Sequence, residues 1–271
     1  EAGAAFANRS PTLLAPPPWQ YTLRREVAAP RGPAPKLVQV AEAKNGVTDV
    51  DAWLARNNLA LPEYEVPNPM RGEPGALPPT IPPTFGKHLL VQAIKQDGLN
   101  ILFYGPDYAG GRFVAVQRDG GELVAFFDFE AWAYAPEAAP GERRFVEQRA
   151  AWAVVDGDVL YVSHGHRTYA RSSKGANAYV SALDLRTGEL LWRSAPLVAN
   201  AANFVIVGGY ILTGYGFTAE PDFLYVLERA RGKTVGKTKL KSGPDYIFVR
   251  DGRVFVRCYD ADYEFALKEG G

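Results

Sequence analysis

Three segments of this chain repeat one pattern of a strand, a glycine turn and a second strand. They span residues 113–124, 180–192 and 224–235. Apolar and polar residues alternate around the turns, whose glycines are Gly121, Gly188 and Gly232. Glycine supplies the positive φ that a tight hairpin requires. Self-similarity of this kind predicts a repeat architecture.

A second hairpin precedes each of the three copies, and a fourth such hairpin follows the last copy. Its turns are Asp97-Gly98, Asp156-Gly157, Gly208-Gly209 and Asp251-Gly252. Two joined hairpins make four antiparallel strands, and the turns recur roughly every 40 to 60 residues, near the length of a propeller blade. The sequence therefore predicts an all-β fold, a small β-propeller of about four four-stranded blades.

The strongest copy reads YVSALDLRTGELLW over residues 179–192. This segment resembles the repeat of the PQQ-binding-like, quinoprotein-type β-propellers, which carries an alanine, threonine-glycine and a terminal tryptophan. The other two copies lack the threonine and the tryptophan. The resemblance covers residues 86–267. It implies a propeller fold and a non-catalytic protein like the exported propellers that scaffold outer-membrane assembly.

The same resemblance bears on cofactors. Quinoprotein dehydrogenases of this family hold PQQ and calcium in a larger ring, commonly beneath a vicinal disulfide, and use an aspartate as base. This chain has one cysteine, Cys258, about half as many blades, and no aspartate that aligns with that base. We therefore expect no cofactor, no catalytic residue and no enzymatic activity. Cys258 is expected to be a buried thiol within a strand.

Residues 1–85 differ from the rest because prolines cluster at 16–18, 30–35 and 78–83. Proline removes backbone donors and favours extended chain. We predict an extended arm over residues 1–85 and the propeller over residues 86–271. One short helix is expected over residues 48–57, with Thr48 as its cap.

The last blade lacks a fourth strand, because few residues follow its third. We expect the arm to supply that closing strand, with residues 35–41 as the first candidate and residues 20–27 as the second. The alternative is an open arc that another chain completes.

Charge and hydropathy limit the classes of partner. Thirty basic and thirty acidic residues are spread along the chain, so nucleic acid and anionic membranes are not expected as main partners. No stretch is apolar enough to span a bilayer. The chain starts at Glu1 without methionine, which fits either a removed targeting segment or a sequence that starts at the first ordered residue. With the resemblance, we expect a periplasmic or otherwise exported protein, membrane-associated only through a partner or a lipoprotein anchor.

His164 and His166 are the strongest candidates for metal ligands in this sequence. Side chains two residues apart on an extended chain face the same way and could share a metal ion. Because no third ligand is apparent, a solvated loop after the strand is the favoured interpretation.

Interaction residues are predicted from type, because aromatic and arginine side chains dominate interface energies. Arm anchors, which hold either the propeller edge or a neighbouring subunit, are Trp19, Tyr21, Trp53 and Tyr64. Loop candidates are Tyr104, Tyr108, Arg167, Tyr169, Arg171, Tyr215, Phe217 and Phe223. The predicted function is a protein-interaction scaffold or accessory subunit of an envelope-associated complex. The alternative is a small-ligand binder or quinoprotein-like enzyme that uses the central channel.

Overall fold

The computed structural model describes Phe6, residues 8–45 and residues 50–270. In chain order the strands are β1 (Thr12–Leu13), β2 (Thr22–Leu23), β3 (Lys36–Lys44), β4 (Thr84–Phe85), β5 (His88–Gln96), β6 (Leu99–Gly105), β7 (Phe113–Arg118), β8 (Leu123–Asp128), β9 (Arg149–Asp156), β10 (Val159–Gly165), β11 (Tyr179–Asp184), β12 (Leu190–Arg193), β13 (Val205–Val207), β14 (Tyr210–Phe217), β15 (Glu220–Glu228), β16 (Thr234–Lys239), β17 (Pro244–Arg250), β18 (Arg253–Cys258) and β19 (Ala261–Lys268). One helix, α1 (Val50–Arg56), and short 3-10 turns at Glu130–Trp132, Pro140–Phe145 and Ala170–Ser173 complete the described elements.

These strands form four sheets, numbered here in chain order. Sheet 1 has the order β1-β8-β7-β6-β5-β4, and sheet 2 has β2-β12-β11-β10-β9. Sheet 3 is β13-β14-β15-β16, and sheet 4 is β17-β18-β19-β3. Sheets 1 to 3 are each built on a four-strand antiparallel meander, and sheet 4 is a three-strand meander completed by β3, which confirms the predicted all-β, propeller-like fold. The number of blades in a closed ring stays a prediction.

The closing strand comes from the arm. β3 pairs antiparallel with β19 from Lys36 opposite Lys268 to Lys44 opposite Ala261. The prediction for residues 35–41 is therefore confirmed. The second candidate, residues 20–27, pairs elsewhere, because β2 lies antiparallel to β12 in sheet 2.

The arm contacts all four sheets in succession, and we call residues 12–44 the belt. β1 runs parallel to β8 in sheet 1, and β2 follows on sheet 2. At sheet 3, the Val27 amide donates to the Ala230 carbonyl at 2.9 Å and the Tyr210 hydroxyl donates to the Gly32 carbonyl at 2.7 Å. β3 then completes sheet 4. The belt thus adds strands to the propeller, while a domain boundary at residue 85 stays a prediction.

Helix α1 lies after the belt, where the short helix was expected. Its buried residues are Trp53 and Leu54, and the Trp53 ring lies 5.8 Å from that of Phe248 in sheet 4. The predicted cap Thr48 lies outside the described residues. Further along, the Tyr64 amide donates to the Ala93 carbonyl of sheet 1 at 2.9 Å. The segment from α1 to Tyr64 therefore joins sheet 4 to sheet 1.

An aromatic side chain on the outer meander strand packs against the turn glycine of the next sheet. Trp192 of β12 is fully buried, and its indole donates to the Arg229 carbonyl at 2.8 Å. A Cβ on Gly232 would lie 2.2 Å from Trp192 Cε3. Phe127 of β8 meets Gly188 in the same way, 3.1 Å from the site of a Cβ. The tryptophan of the repeat therefore couples neighbouring sheets.

Candidate interaction surface

A cavity opens at one end of the sheets, and we call it the funnel. Its volume is about 690 Å³. Every sheet contributes to its wall through loops or connecting segments, which include Ala109, Arg149, His166, Arg167, Asn200, Phe217, Asp222, Lys241 and Tyr259. Such a cavity at the end of a propeller is where bound groups gather.

One asparagine links two segments of the funnel wall. Asn200 Nδ2 donates to the Gly216 carbonyl at 2.7 Å, and the Gly216 amide donates back to Asn200 Oδ1 at 3.1 Å. A Cβ on Gly216 would lie 2.5 Å from Gly243 Cα. Because the backbones approach so closely here, only glycine fits at this part of the funnel wall.

Charges around the funnel are partly paired. Arg149 Nη2 lies 2.8 Å from Glu147 Oε1, and Lys241 pairs with Glu42 of the belt. Burial raises the pKa of the Asp222 carboxyl above its usual value. Arg167 is exposed at the edge. Both signs of charge are therefore present around the opening, beside an apolar lining that includes Phe217 and Pro244.

The two histidines do not lie in a solvated loop, so that interpretation is wrong. β10 extends to Gly165, and the residues are 1% and 4% exposed. His164 Nδ1 lies 3.2 Å from Gln148 Oε1, whereas His166 Nε2 lies 2.7 Å from Ser173 Oγ. Among the described residues, no group of three or more His, Cys, Asp or Glu is placed to hold a metal ion. That the chain takes no cofactor stays a prediction.

His166 is held in its neutral form. The Thr168 amide donates to Nδ1 at 3.3 Å, which leaves Nε2–H to donate to Ser173 Oγ. Burial lowers the pKa of His166 to about 4. The unfolded chain has a histidine pKa of about 6.5, so between these values the unfolded state binds the additional proton.

We therefore expect the free energy of unfolding to fall as the pH falls from about 6.5 to about 4, by up to about 3 kcal/mol from this residue. Urea denaturation at pH 7, 6, 5 and 4 would be compared between the wild type and His166→Gln, which keeps an amide donor. The difference between the two proteins should shrink toward acid pH. A difference that stays constant with pH would contradict the assignment.

Four predicted interaction residues gather at one part of the funnel rim. The Tyr169 and Phe217 rings lie 4.9 Å apart, edge to face. Arg171 Cζ lies 5.2 Å from the centre of the Tyr169 ring, and Arg167 is exposed beside them. Tyr259, which sequence reasoning missed, is 83% exposed and lies on the funnel wall. The sequence feature that could have indicated Tyr259 is an aromatic residue in the turn between two segments of alternating apolar and polar residues.

Other loop candidates are less accessible. Tyr104 is not in an exposed loop, because β6 continues to Gly105 and buries the ring completely. Its hydroxyl donates to the Pro82 carbonyl at 2.8 Å. Tyr215 is buried within β14, and its hydroxyl donates to Glu220 Oε1 at 2.6 Å.

Two further loop candidates are partly exposed. The Tyr108 hydroxyl donates to the Pro67 carbonyl at 3.0 Å. Phe223 lies in β15, with Lys237 Nζ 4.1 Å from its ring centre. We expect these contacts to limit what either ring can offer a partner.

The arm anchors contact their own propeller. Trp53 packs on Phe248, and Lys95 Nζ lies 4.4 Å from the centre of the Tyr64 ring. The Tyr21 hydroxyl donates to the Arg231 carbonyl at 3.1 Å. These contacts correspond to the edge-holding alternative, and a role at a neighbouring subunit stays a prediction.

Trp19 of the belt is one of three aromatic residues that contact the buried side chain of Arg193. The Arg193 guanidinium carbon lies 5.1 Å from the Trp19 ring, 4.5 Å from Trp132 and 4.4 Å from Tyr179. Arg193 Nη1 also donates to the Pro18 carbonyl at 3.3 Å. Burial lowers the pKa of Arg193 to about 9, which leaves it charged at neutral pH. Cation–π contacts therefore fasten the belt to sheet 2.

The comparison with protein families identifies these repeats. Residues 176–266 match the PQQ_2 family, described as outer membrane protein assembly factor BamB. Residues 176–266 are therefore similar to PQQ-like β-propeller repeats. No curated protein sequence matches the chain significantly.

Solved structures with PQQ-like or other propeller-like folds are similar at low identity. BamB from Moraxella catarrhalis is 12% identical, over 85% of this chain and 100% of that chain, with a TM-score of 0.34. The computationally designed Ika4 protein is 10% identical over 64% of this chain and 87% of that chain, with a TM-score of 0.40. A europium-containing methanol dehydrogenase is 19% identical over 40% of this chain and 22% of that chain, with a TM-score of 0.28. Because these TM-scores are low, the assignment rests on the PQQ-like repeats.

Proposed function

We propose that this protein is a non-catalytic interaction scaffold, an accessory subunit that binds a protein partner through the funnel rim. The family match over residues 176–266 carries the proposal, because that family is described as an outer membrane assembly factor. The rim residues support it, since Tyr169, Phe217, Arg171 and Tyr259 are types that dominate interface energies.

The proposed site of action is the periplasm or another exported compartment, with membrane association through the partner or a lipid anchor. No helix among the described residues is long and apolar enough to cross a membrane. The family description again supports this placement.

Site-specific photocrosslinking tests the rim directly. A photoreactive phenylalanine analogue would replace Tyr259 in one variant and Asp251 in a matched control. These residues flank β18 at opposite ends, and the Asp251 side chain is 90% exposed. In cells that make the protein naturally, we expect a discrete crosslinked product at position 259 and none at 251. Equal products at both positions, or none at 259, would contradict the proposal.

The second candidate function is a small-ligand site in the funnel. The cavity volume of about 690 Å³ is the observation that favours it, since ligand pockets measure about 300–1,000 Å³. Thermal melting of the purified chain with PQQ, with calcium and with zinc separates the two functions. A higher melting temperature with one of these ligands would favour the second function.

A further inference from the structure

The outer edges of the four sheets are protected unequally. β1 covers β8 in sheet 1, and β2 covers β12 in sheet 2. The outer strand of sheet 3, β16, carries Lys237 and Lys239, and lysines on an edge strand oppose pairing with another strand. Within the described part of the chain, β3 of sheet 4 has no covering strand.

The middle of β3 is also exposed and uncharged. Every residue of this nine-residue strand except Leu37 is exposed, and Val38 and Val40 are each 49% exposed. Lys36, Glu42 and Lys44 lie toward the ends. A long apolar edge with free backbone groups is a template for another strand.

The backbone groups that face outward can be derived from the pairing with β19. The Leu267 amide donates to the Gly252 carbonyl, so Leu267 faces β18 and its partner Leu37 faces outward. Gln39 pairs with Phe265, two residues along, and therefore also faces outward.

The other half of β3 follows from the Asn45 amide, which donates to the Asp260 carbonyl and so faces inward. Alternation then places Lys44 and Glu42 outward, because Val40 is skipped where Gln39 pairs with Phe265 and Ala41 with Glu264. The outward residues are thus Leu37, Gln39, Glu42 and Lys44. This set is symmetric about the midpoint between Val40 and Ala41.

We propose that β3 pairs with β3 of a second copy of this chain, antiparallel, about a two-fold axis between Val40 and Ala41. In this register Leu37 lies opposite Lys44 and Gln39 opposite Glu42, so all four outward residues find backbone partners. The Gln39 amide nitrogen already lies 3.3 Å from Glu42 Oε2 of its own chain, and these groups are equally complementary across the axis.

The distribution of charge favours pairing of β3 with β3 of a second copy over pairing with β16. No two like charges are opposed in this register, whereas moving the two-fold axis onto Val40 places Lys36 opposite Lys44. Moving the axis onto Ala41 opposes no like charges, but in that register none of the four outward residues lies opposite another outward residue. Pairing with the lysine-bearing β16 would add lysines to the lysines at both ends of β3. The self-pair also closes as a dimer and leaves no open edge.

Sedimentation analysis of the full chain over a range of concentrations tests the dimer. We expect the wild type to dimerise and Gln39→Pro to remain monomeric. At concentrations low enough for both to be monomers, the two melting temperatures should be equal, because the Gln39 amide faces away from β19. Val40→Lys places two lysines beside the axis and should weaken association at least about tenfold. Val235→Lys on β16, also at an exposed valine, is the matched control and should dimerise as the wild type does.

A monomeric wild type would overturn the proposal, as would a Val40→Lys variant that dimerises normally. Equal weakening by Val40→Lys and Val235→Lys would also overturn it, since net charge would then be the cause. If Gln39→Pro lowers the melting temperature, Val40→Lys decides the question, because it leaves every backbone group in place.

Discussion

Replacing Gly232 with alanine should destabilise this protein by about 2–5 kcal/mol, combining left-handed backbone strain with overpacking against a buried tryptophan. Gly232 has a φ of +70°, and its added Cβ would lie 2.2 Å from Trp192 Cε3. Trp192 cannot retreat, because it is fully buried and its indole donates to the Arg229 carbonyl. The measurement is urea denaturation followed by tryptophan fluorescence.

Gly252→Ala is the matched control. Its φ is +72°, yet nothing lies within 4 Å of the added Cβ. The control should therefore show only the backbone strain, about 1 kcal/mol. Similar losses in the two variants would show that the contact between Trp192 and Gly232 does not couple the sheets.

The contact between Trp192 and Gly232 could not be predicted from the repeat pattern, although the hairpins themselves could. The hairpins and their glycines follow from alternation and turn chemistry, which are local properties. That Trp192 packs on a glycine of the next sheet depends on how sheets stack, which no single hairpin encodes. Phe127 takes the same role in sheet 1, so the copy that lacks tryptophan keeps the contact.

The strands of the arm also differ in how well the sequence predicts them, because local patterns do not encode tertiary contacts. The missing outer strand of the last sheet predicted a donor, and β3 is long enough to show alternation. β1 is two residues long and directly follows Pro11, so no periodicity could reveal it. β2 lies within residues 20–27, which were predicted as a strand but for the last sheet rather than for sheet 2. The belt is a tertiary feature, held by contacts such as those of Arg193.

That these residues bind a partner stays a prediction, but the structure shows where each of them lies. Arg167 and Tyr169 do lie on the funnel side of their loop. Tyr104 and Tyr215 were misplaced because β6 and β14 continue through glycines that resembled loop residues. His164 and His166 were expected in solvent, but β10 continues through His164, and both rings are buried against the neutral side chains of Gln148 and Ser173.

Replacing Val38 with proline should destabilise the fold by about 3 kcal/mol or more, because it removes an inward-facing amide from the closing strand. Val38 pairs with Ala266, which faces β3 since its neighbour Leu267 faces β18. Loss of this pairing exposes the edge of β19, whose Phe265 is buried in the core of sheets 3 and 4. Urea denaturation at low protein concentration would measure the loss free of any self-association.

Two variants isolate the backbone as the cause. Val38→Ala should cost less than about 0.5 kcal/mol, since the side chain is half exposed. Gln39→Pro places the same ring one residue further along, where the amide faces outward, and should leave the unfolding midpoint close to that of the wild type. If the two proline variants unfolded at the same urea concentration, β3 would not close sheet 4 through alternate amides. The belt would then hold through its contacts with sheets 1 to 3, and the derived outward set of β3 would fail with it.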